Sequence, residues 1–395
     1  MTNQTDPIVI ISAKRTAMGA FQGGLSAITS PELGATAIKA VIDDAKCDAD
    51  KIDDVIMGCV LSAGLGQAPA RQASIKAGLP LSTTATTINK MCGSGMKSVM
   101  MACDTILAGG ANIMIAGGME SMTNAPYLLD KARDGYRMGH GKVTDHMFFD
   151  GLQDAYEGHL MGHFADETAD NQKISREDQD NFAIESLNRA KMAIETGAFE
   201  DEITPVTVKT RKAEVTFDTD ESPAKAMPEK IPNLRPAFNK DGTVTAANAS
   251  SISDGAAALL LMRKSEAEKQ GFDILAEIKS YASHGQKPSE FTIAPIGAME
   301  KALAKANWTK EDVDLFEINE AFAVVTLAAI KNLDLPHEKV NVNGGACALG
   351  HPIGASGARI VVTLIHALKK QNLKRGLASL CIGGGEATAL CLEIA

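Results

Sequence analysis

Apolar residues along this chain fall into two alternating patterns. Short β-branched runs read as buried strands, and longer stretches with apolar positions at three- and four-residue spacing read as helices. Ile8–Ser12, Val55–Leu61, Ala85–Ile88 and Ile113–Ala116 are strands on this reading. A helix opens at Ser30-Pro31-Glu32, where a cap, a proline and an early acid coincide, and runs to about Ala45. A second spans Pro69–Ala77, and MKSVMMACDTILAGG after Cys92 reads as a buried third.

From Ser121 to about Thr243 the texture is polar, rich in Asp, Lys and Arg. One helix stands out there, with Ser175 as cap, Asp178 at the capping-box position and an amphipathic run to Glu195. Strand character resumes at Ala256–Met262. The order then repeats: strand Ile274–Ala282, helix Pro295–Ala306, strand Val313–Ile318, helix Ala321–Lys331 and strand Val340–Val342. A helix from about Ile353 to Lys369 and strands Leu377–Ile382 and Thr388–Ile394 complete it.

Each half therefore reads strand–helix three times and then two strands, an α/β fold with an internal duplication. SGMKSV after Cys92 answers SGARIV after His351, and IAGGME at 115–120 answers CIGGGE at 381–386. The division follows: a first half at 1–120 completed by 244–272, an inserted loop domain at 121–243, and a second half at 273–395. An insertion of that size is expected to work as a lid or binding loop.

Composition changes the picture in three ways. With 395 residues, 45% hydrophobic and 22% charged, the chain is globular and large enough for two domains. A formal charge of −10 argues against nucleic acid or an anionic membrane as partner. No stretch suits a signal peptide or a transmembrane span. The seven cysteines show neither a CxxC pair nor histidines at zinc spacing, so no metal is expected. Their odd number suits free thiols in a reducing cytoplasm.

Cys92 sits on the turn entering a helix, where unpaired N–H groups and the helix dipole favour a thiolate. His351 lies just before the matching helix of the second half, Cys381 ends its fourth strand, and Asn319 follows its second. Strand ends are where α/β folds gather reactive groups. Each residue also has a plain structural reading: a filler thiol, a loop histidine, a core cysteine, a helix cap. Together, beside the glycines of GGA, GHPIGASG and IGGG, they point to one pocket.

On these motifs the chain resembles the thiolase family. CGSG around Cys92, NEAFA at 319–323, GGACALGHPIGASGAR at 344–359 and CIGGG at 381–385 match the family, as do AGGMESMTNAPY and TAANASSISDGAAA. The likeness is strongest to its biosynthetic branch, the acetyl-CoA C-acetyltransferases. It implies a five-layered αβαβα fold, a homotetramer, and condensation of two acetyl-CoA to acetoacetyl-CoA and CoA. Coenzyme A is then substrate and product, and no cofactor is bound permanently.

By the same resemblance Cys92 is the nucleophile, His351 its acid/base, Cys381 the base for the second acetyl-CoA, and Asn319 a holder of water at the enolate. Backbone N–H groups of Cys92 and Gly383 meet the thioester oxygen. Ser250 contacts pantetheine, while Met161, Ala321, Phe322 and Phe291 line the acyl pocket. Leu160 stands where many relatives carry histidine, with His159 beside it, and Ala387 stands where glycine is usual. Lys225, Lys230 and Arg235 are candidates for the CoA phosphates. Two rivals share the scaffold: a degradative 3-ketoacyl-CoA thiolase and a non-catalytic acyl-CoA or lipid carrier. A ketoacyl-ACP synthase would supply two histidines in place of Asn319 and Cys381.

Overall fold

The computed structural model describes residues 6–209 and 213–395; Met1–Thr5 and Thr210–Lys212 lie outside it. In the first half, β1 (Ile8–Thr16), α1 (Ser30–Ala45), β2 (Asp54–Gly58), α2 (Pro69–Lys76), β3 (Thr84–Ile88), α3 (Ser94–Leu107) and β4 (Ile113–Ser121) follow one another. Helices α4 (Met161–Gln172) and α5 (Arg176–Glu195) belong to the polar stretch, and β5 (Ser253–Arg263) returns to the sheet. The second half supplies β6 (Ala276–Gly285), α6 (Ala294–Ala306), β7 (Leu315–Ile318), α7 (Ala323–Leu333), α8 (Ile353–Lys370), β8 (Arg375–Ile382) and β9 (Glu386–Ile394).

The sheet path runs β7-β8-β9-β6-β1-β5-β4-β2-β3. From its outer edge the first half reads third strand, second, fourth, fifth, first. The second half has the same order, with Val340 bridging Phe316 of β7 where a third strand would lie. Parallel pairs β2–β3 and β2–β4 give way to antiparallel β4–β5 and β5–β1. The two first strands meet antiparallel, Val9 opposite Glu277 and Ile10 opposite Ala276.

Three apolar cores separate the layers. Helices α1 and α2 cover the outer face of the first sheet through Leu33, Ile38, Val41 and Ala73. Helix α6 covers the outer face of the second through Ala298, Met299 and Ala302. Between the sheets lie α3 and α8, with Met96, Val99, Ile360 and Leu364 packed on Leu259, Leu261, Leu380 and Leu390. Every residue of α8 from Ile353 to Leu368 is buried. The α3–α8 crossing is reciprocal: a Cβ on Gly95 would lie 2.6 Å from Ala358 N, and one on Gly357 2.4 Å from Met96 N. Only glycine permits backbones that close.

Several boundaries differ from the sequence reading. The cap of α1 is Thr29, whose capping box closes with Glu32, and Ser30 is already helical. Strand β2 stops at Gly58 because the Val60 and Leu61 N–H groups turn to the Glu120 carboxylate, at 2.9 and 3.1 Å. The expected strand Val340–Val342 is a single bridge. Asn341 is left-handed (φ 49°), and its side-chain amide replaces a strand partner, accepting from Ile318 N and donating to Ile318 O, each at 2.8 Å. Helix α4 escaped notice because Leu160 offers no side-chain cap, leaving only the buried face of Phe164, Ala165 and Ala169 to mark it.

The polar stretch is pinned to the sheet through Arg15 of β1. This buried guanidinium holds Glu202 through Nε and Asp220 through both terminal nitrogens, with the Phe199 ring beneath it. Burial of that charge is tolerable because both partners are carboxylates with further hydrogen bonds.

Candidate active site

Cys92 stands on a tight turn between β3 and α3. Met91 before it is left-handed (φ 46°), an unusual state for a side chain of that size. Ser94 holds the turn shut, accepting from Lys90 N at 2.8 Å and donating to Met91 O at 2.6 Å. A Cβ on Gly93 would fall 2.3 Å from Ile382 Cδ1, so the turn and the end of β8 touch only because that residue is glycine.

Cys92 is half-buried, opening on a cavity. Burial nonetheless pushes its thiol up to about 11, and the N–H groups of Gly383 and of Cys92 itself offset this only in part. This corrects the expectation of a resting thiolate: loss of water outweighs the helix entrance. Cys381, fully buried, is driven well above the usual thiol range by burial and then by Cys92 beside it.

His351 precedes α8 and is buried, its N–H donating to Ser251 O at 3.1 Å. Its Nδ1 lies 2.6 Å from Ser356 Oγ, and that hydroxyl is 2.9 Å from Pro352 O. If Ser356 donates to the carbonyl, Nδ1 carries the proton and Nε2 keeps its lone pair. Nε2 is buried and has no hydrogen-bond partner among the described residues. Burial, then the Arg359 charge, push His351 down to about 3, so the ring is neutral at physiological pH.

These groups share a cavity of about 560 Å³. Cys92, Cys381, Gly383 and His351 line it, as do Ser250, Leu160, Met161, Phe291, Ala321 and Phe322. TAANASS and NEAFA are joined there: Ser250 N donates to Ala321 O at 3.0 Å and Ala323 N to Asn248 O at 2.7 Å. The wall is mostly apolar, and the T-shaped pairs Phe238–Phe322 and Phe291–Phe322 narrow one side.

Asn319 is brought to His351 but lies outside the cavity wall, its Nδ2 3.5 Å from Nδ1. His159 stacks on His163 at 4.0 Å instead of entering in place of Leu160. Lys225 and Lys230 are exposed and do not line the cavity. Lys225 pairs with Glu221, whose carboxylate also receives the N–H of Ala20, a cavity-lining residue, at 3.0 Å.

Sequence reasoning missed Phe21, Met122, Phe148, Phe238, Ile252 and Ile353 of the wall. The tandem Phe148–Phe149 and the lone Phe238, both in polar surroundings, were signals that could have marked two of them. It also missed Arg359 and Glu317, buried ionisable residues beside Asn319.

Known proteins resemble this chain over nearly its whole length. The family model for the thiolase N-terminal domain matches residues 8–265, and that for the C-terminal domain matches 272–394. An acetyl-CoA acetyltransferase of Escherichia coli K12 is 54% identical over 387 residues, covering 98% of each chain. One from Chromobacterium violaceum is 52% identical, over 98% of this chain and 99% of its own. The cytosolic mouse enzyme of the same name is 48% identical over the whole of both chains. The crystal structure of the Bacillus anthracis acetyl-CoA acetyltransferase superposes with a TM-score of 0.97 at 42% identity, covering both chains fully. By sequence over nearly its whole length and by fold, the chain belongs to the thiolase family.

Proposed function

We propose that this chain is an acetyl-CoA C-acetyltransferase, joining two acetyl-CoA reversibly into acetoacetyl-CoA with release of CoA. The observation that carries the reading is the meeting of Cys92, His351 and Cys381 on one cavity wall, with the Gly383 N–H turned to the Cys92 sulfur. The names of the well-covered relatives support it.

In the first half-reaction His351 Nε2 takes the Cys92 proton as the sulfur attacks the acetyl carbonyl. Cys92 rests as a thiol beside a neutral imidazole, so proton transfer accompanies attack. The N–H groups of Cys92 and Gly383 receive the oxyanion. The CoA sulfur leaves with the proton from His351, and acetyl-Cys92 remains. In the second half-reaction Cys381 gives its proton to His351 and, as the thiolate, removes the α-proton of a new acetyl-CoA, with His351 and Asn319 on the enolate side. The carbanion attacks the acetyl thioester, and Cys92 departs with the proton held on His351. Desolvation disfavours a free Cys381 thiolate, so this base is to form only once substrate is seated.

Residues 121–243 serve here as a cover for CoA, with Ser250 at pantetheine and Met161, Phe291 and Phe322 closing the acyl end. Exposed Tyr127, Leu129, Met138 and Val143 offer a surface for the homotetramer this reading carries. The cytosolic mouse relative supports a cytoplasmic setting. No helix among the described residues is long and apolar enough to cross a membrane.

The test is thiolysis across chain lengths. A closed acyl pocket penalises added carbons by overpacking, about 1–3 kcal/mol, whereas an open tunnel would reward each methylene by about 0.8 kcal/mol. Expected is kcat/KM for acetoacetyl-CoA well above that for 3-ketooctanoyl-CoA. Equal or better thiolysis of the eight-carbon substrate would replace this reading with a degradative 3-ketoacyl-CoA thiolase.

A further inference from the structure

Arg359 of α8 is fully enclosed in the layer between the sheets. Its Nη2 donates to Asn319 Oδ1 at 3.3 Å, and its Nη1 lies 3.5 Å from Glu317 Oε2. Nε and Nη1 have no hydrogen-bond partner among the described residues. Arg15, equally buried, differs: its donors reach Glu202, Asp220 and Thr16 O, as befits a residue that pins two segments. Enclosing a guanidinium is costly unless its donors are satisfied. Arg359 recovers little of that in hydrogen bonds, and the one it makes goes to a side chain at the candidate site.

We propose that Arg359 is a positioning residue, holding the Asn319 amide by its carbonyl oxygen so that the Nδ2–H end is turned toward His351. The assignment rests on the proposed function. A guanidinium offers only donors, so only the carbonyl end of the amide can face it. A flipped amide would set an oxygen against the negative charge that develops on the enolate. The titratable groups facing Arg359 are Glu317 and Glu320 from β7 and the turn after it, both carboxyls pushed up by burial, Glu202 after the polar stretch's helix pair, Arg15 from β1, and His351 before α8. Among these, Glu317 alone lies within ion-pair distance of it.

A double-mutant cycle on the full chain tests this, crossing Arg359→Met with Asn319→Ala. Acetylation of Cys92 by acetyl-CoA is followed by mass spectrometry, and condensation by acetoacetyl-CoA formation. Arg359→Met should lower condensation about 10²-fold, the scale of a misplaced group, with acetylation much less affected. Adding Arg359→Met to Asn319→Ala should lower it little further. The acid limb of the condensation profile should move to higher pH, since a positive charge beside His351 is gone. Losses that multiply in the double variant, or condensation unchanged in Arg359→Met, would overturn the assignment while leaving the proposed function standing. If Arg359→Met does not fold, Arg359→Lys, which keeps the charge and loses the flat fork, carries the same cycle with the same two outcomes. Wild-type protein that fails to acetylate Cys92 would overturn the proposed function itself, and this assignment with it.

Discussion

Cys92, on the turn entering α3, and Gly354, in the first turn of α8, occupy matching places in the two halves. Cys92 lies two residues before Ser94-Gly95-Met96, and Gly354 two residues before Ser356-Gly357-Ala358, the triplets that cross at the α3–α8 contact. Gly383 of the second half turns its N–H to the Cys92 sulfur, and a cavity opens beyond it. Glu120 of the first half instead takes the Gly354 N–H at 2.9 Å, and its carboxylate is spent on Val60 and Leu61 as well. One position thus opens on the cavity and its counterpart is clamped. Matching places in a duplicated fold do not make matching chemistry; a side chain with free volume beyond it is also needed.

The largest expected effect separates the two ends directly. Cys92→Ala should lower turnover by about 10⁶-fold, as for a nucleophile acting in a unit with its base, and leave the urea midpoint nearly unchanged. An acetyl adduct that persists in Cys92→Ala would break the comparison, because the reactive end would lie elsewhere. Next, Cys381→Ser should still acetylate Cys92 but lose α-proton exchange with deuterated water by about 10²–10⁴-fold. Exchange at the wild-type rate would move the second base away from β8.

Two buried groups flanking Gly354, His351 three residues before it and Glu120 on its N–H, should also titrate in opposite senses. Burial holds His351 down to about 3, below its ordinary 6.5, so its contribution to stability is present above 6.5 and lost as pH falls toward 3. Burial raises Glu120 to about 7, from an ordinary 4.5, so its contribution is present below 4.5 and lost as pH rises through 7. Each is worth about 3–5 kcal/mol at full extent. Urea unfolding from pH 4 to 8 should show His351→Asn flattening the acid side and Glu120→Gln the alkaline side. The smallest effect concerns the crossing itself: Gly95→Ala and Gly357→Ala should each cost about 1–3 kcal/mol, and by similar amounts. A large asymmetry between them would show that only one half carries the contact.

Strand–helix alternation was legible because local periodicity encodes it, and Cys92, His351, Cys381 and Gly383 because each sits in a short glycine-marked run. Helix α4 was not, since without a cap at Leu160 its sequence MGHFADETADNQ shows only a weak stripe. The resting state of Cys92 was misjudged because the helix entrance is local and visible, whereas burial by β8 and the insertion is not. Phe21, Phe148 and Phe238 reach the cavity from three distant segments, and no local pattern could have joined them. Arg359 left a trace: one charge inside the apolar run ARIVVTLIHAL.

Helix α8 has no exposed face between Ile353 and Leu368, and that sets an order of events on the ribosome. The first sheet is complete once β5 has emerged, but the inner surface of α3 and of that sheet then waits for a helix about a hundred residues downstream. At synthesis rates of about 5–20 residues per second, a nascent chain carries a bare apolar face for about 5–20 seconds. That interval, more than the finished protein, is where aggregation competes with folding, and holding chaperones would bind the nascent chain after residue 263 and release it once α8 is inserted.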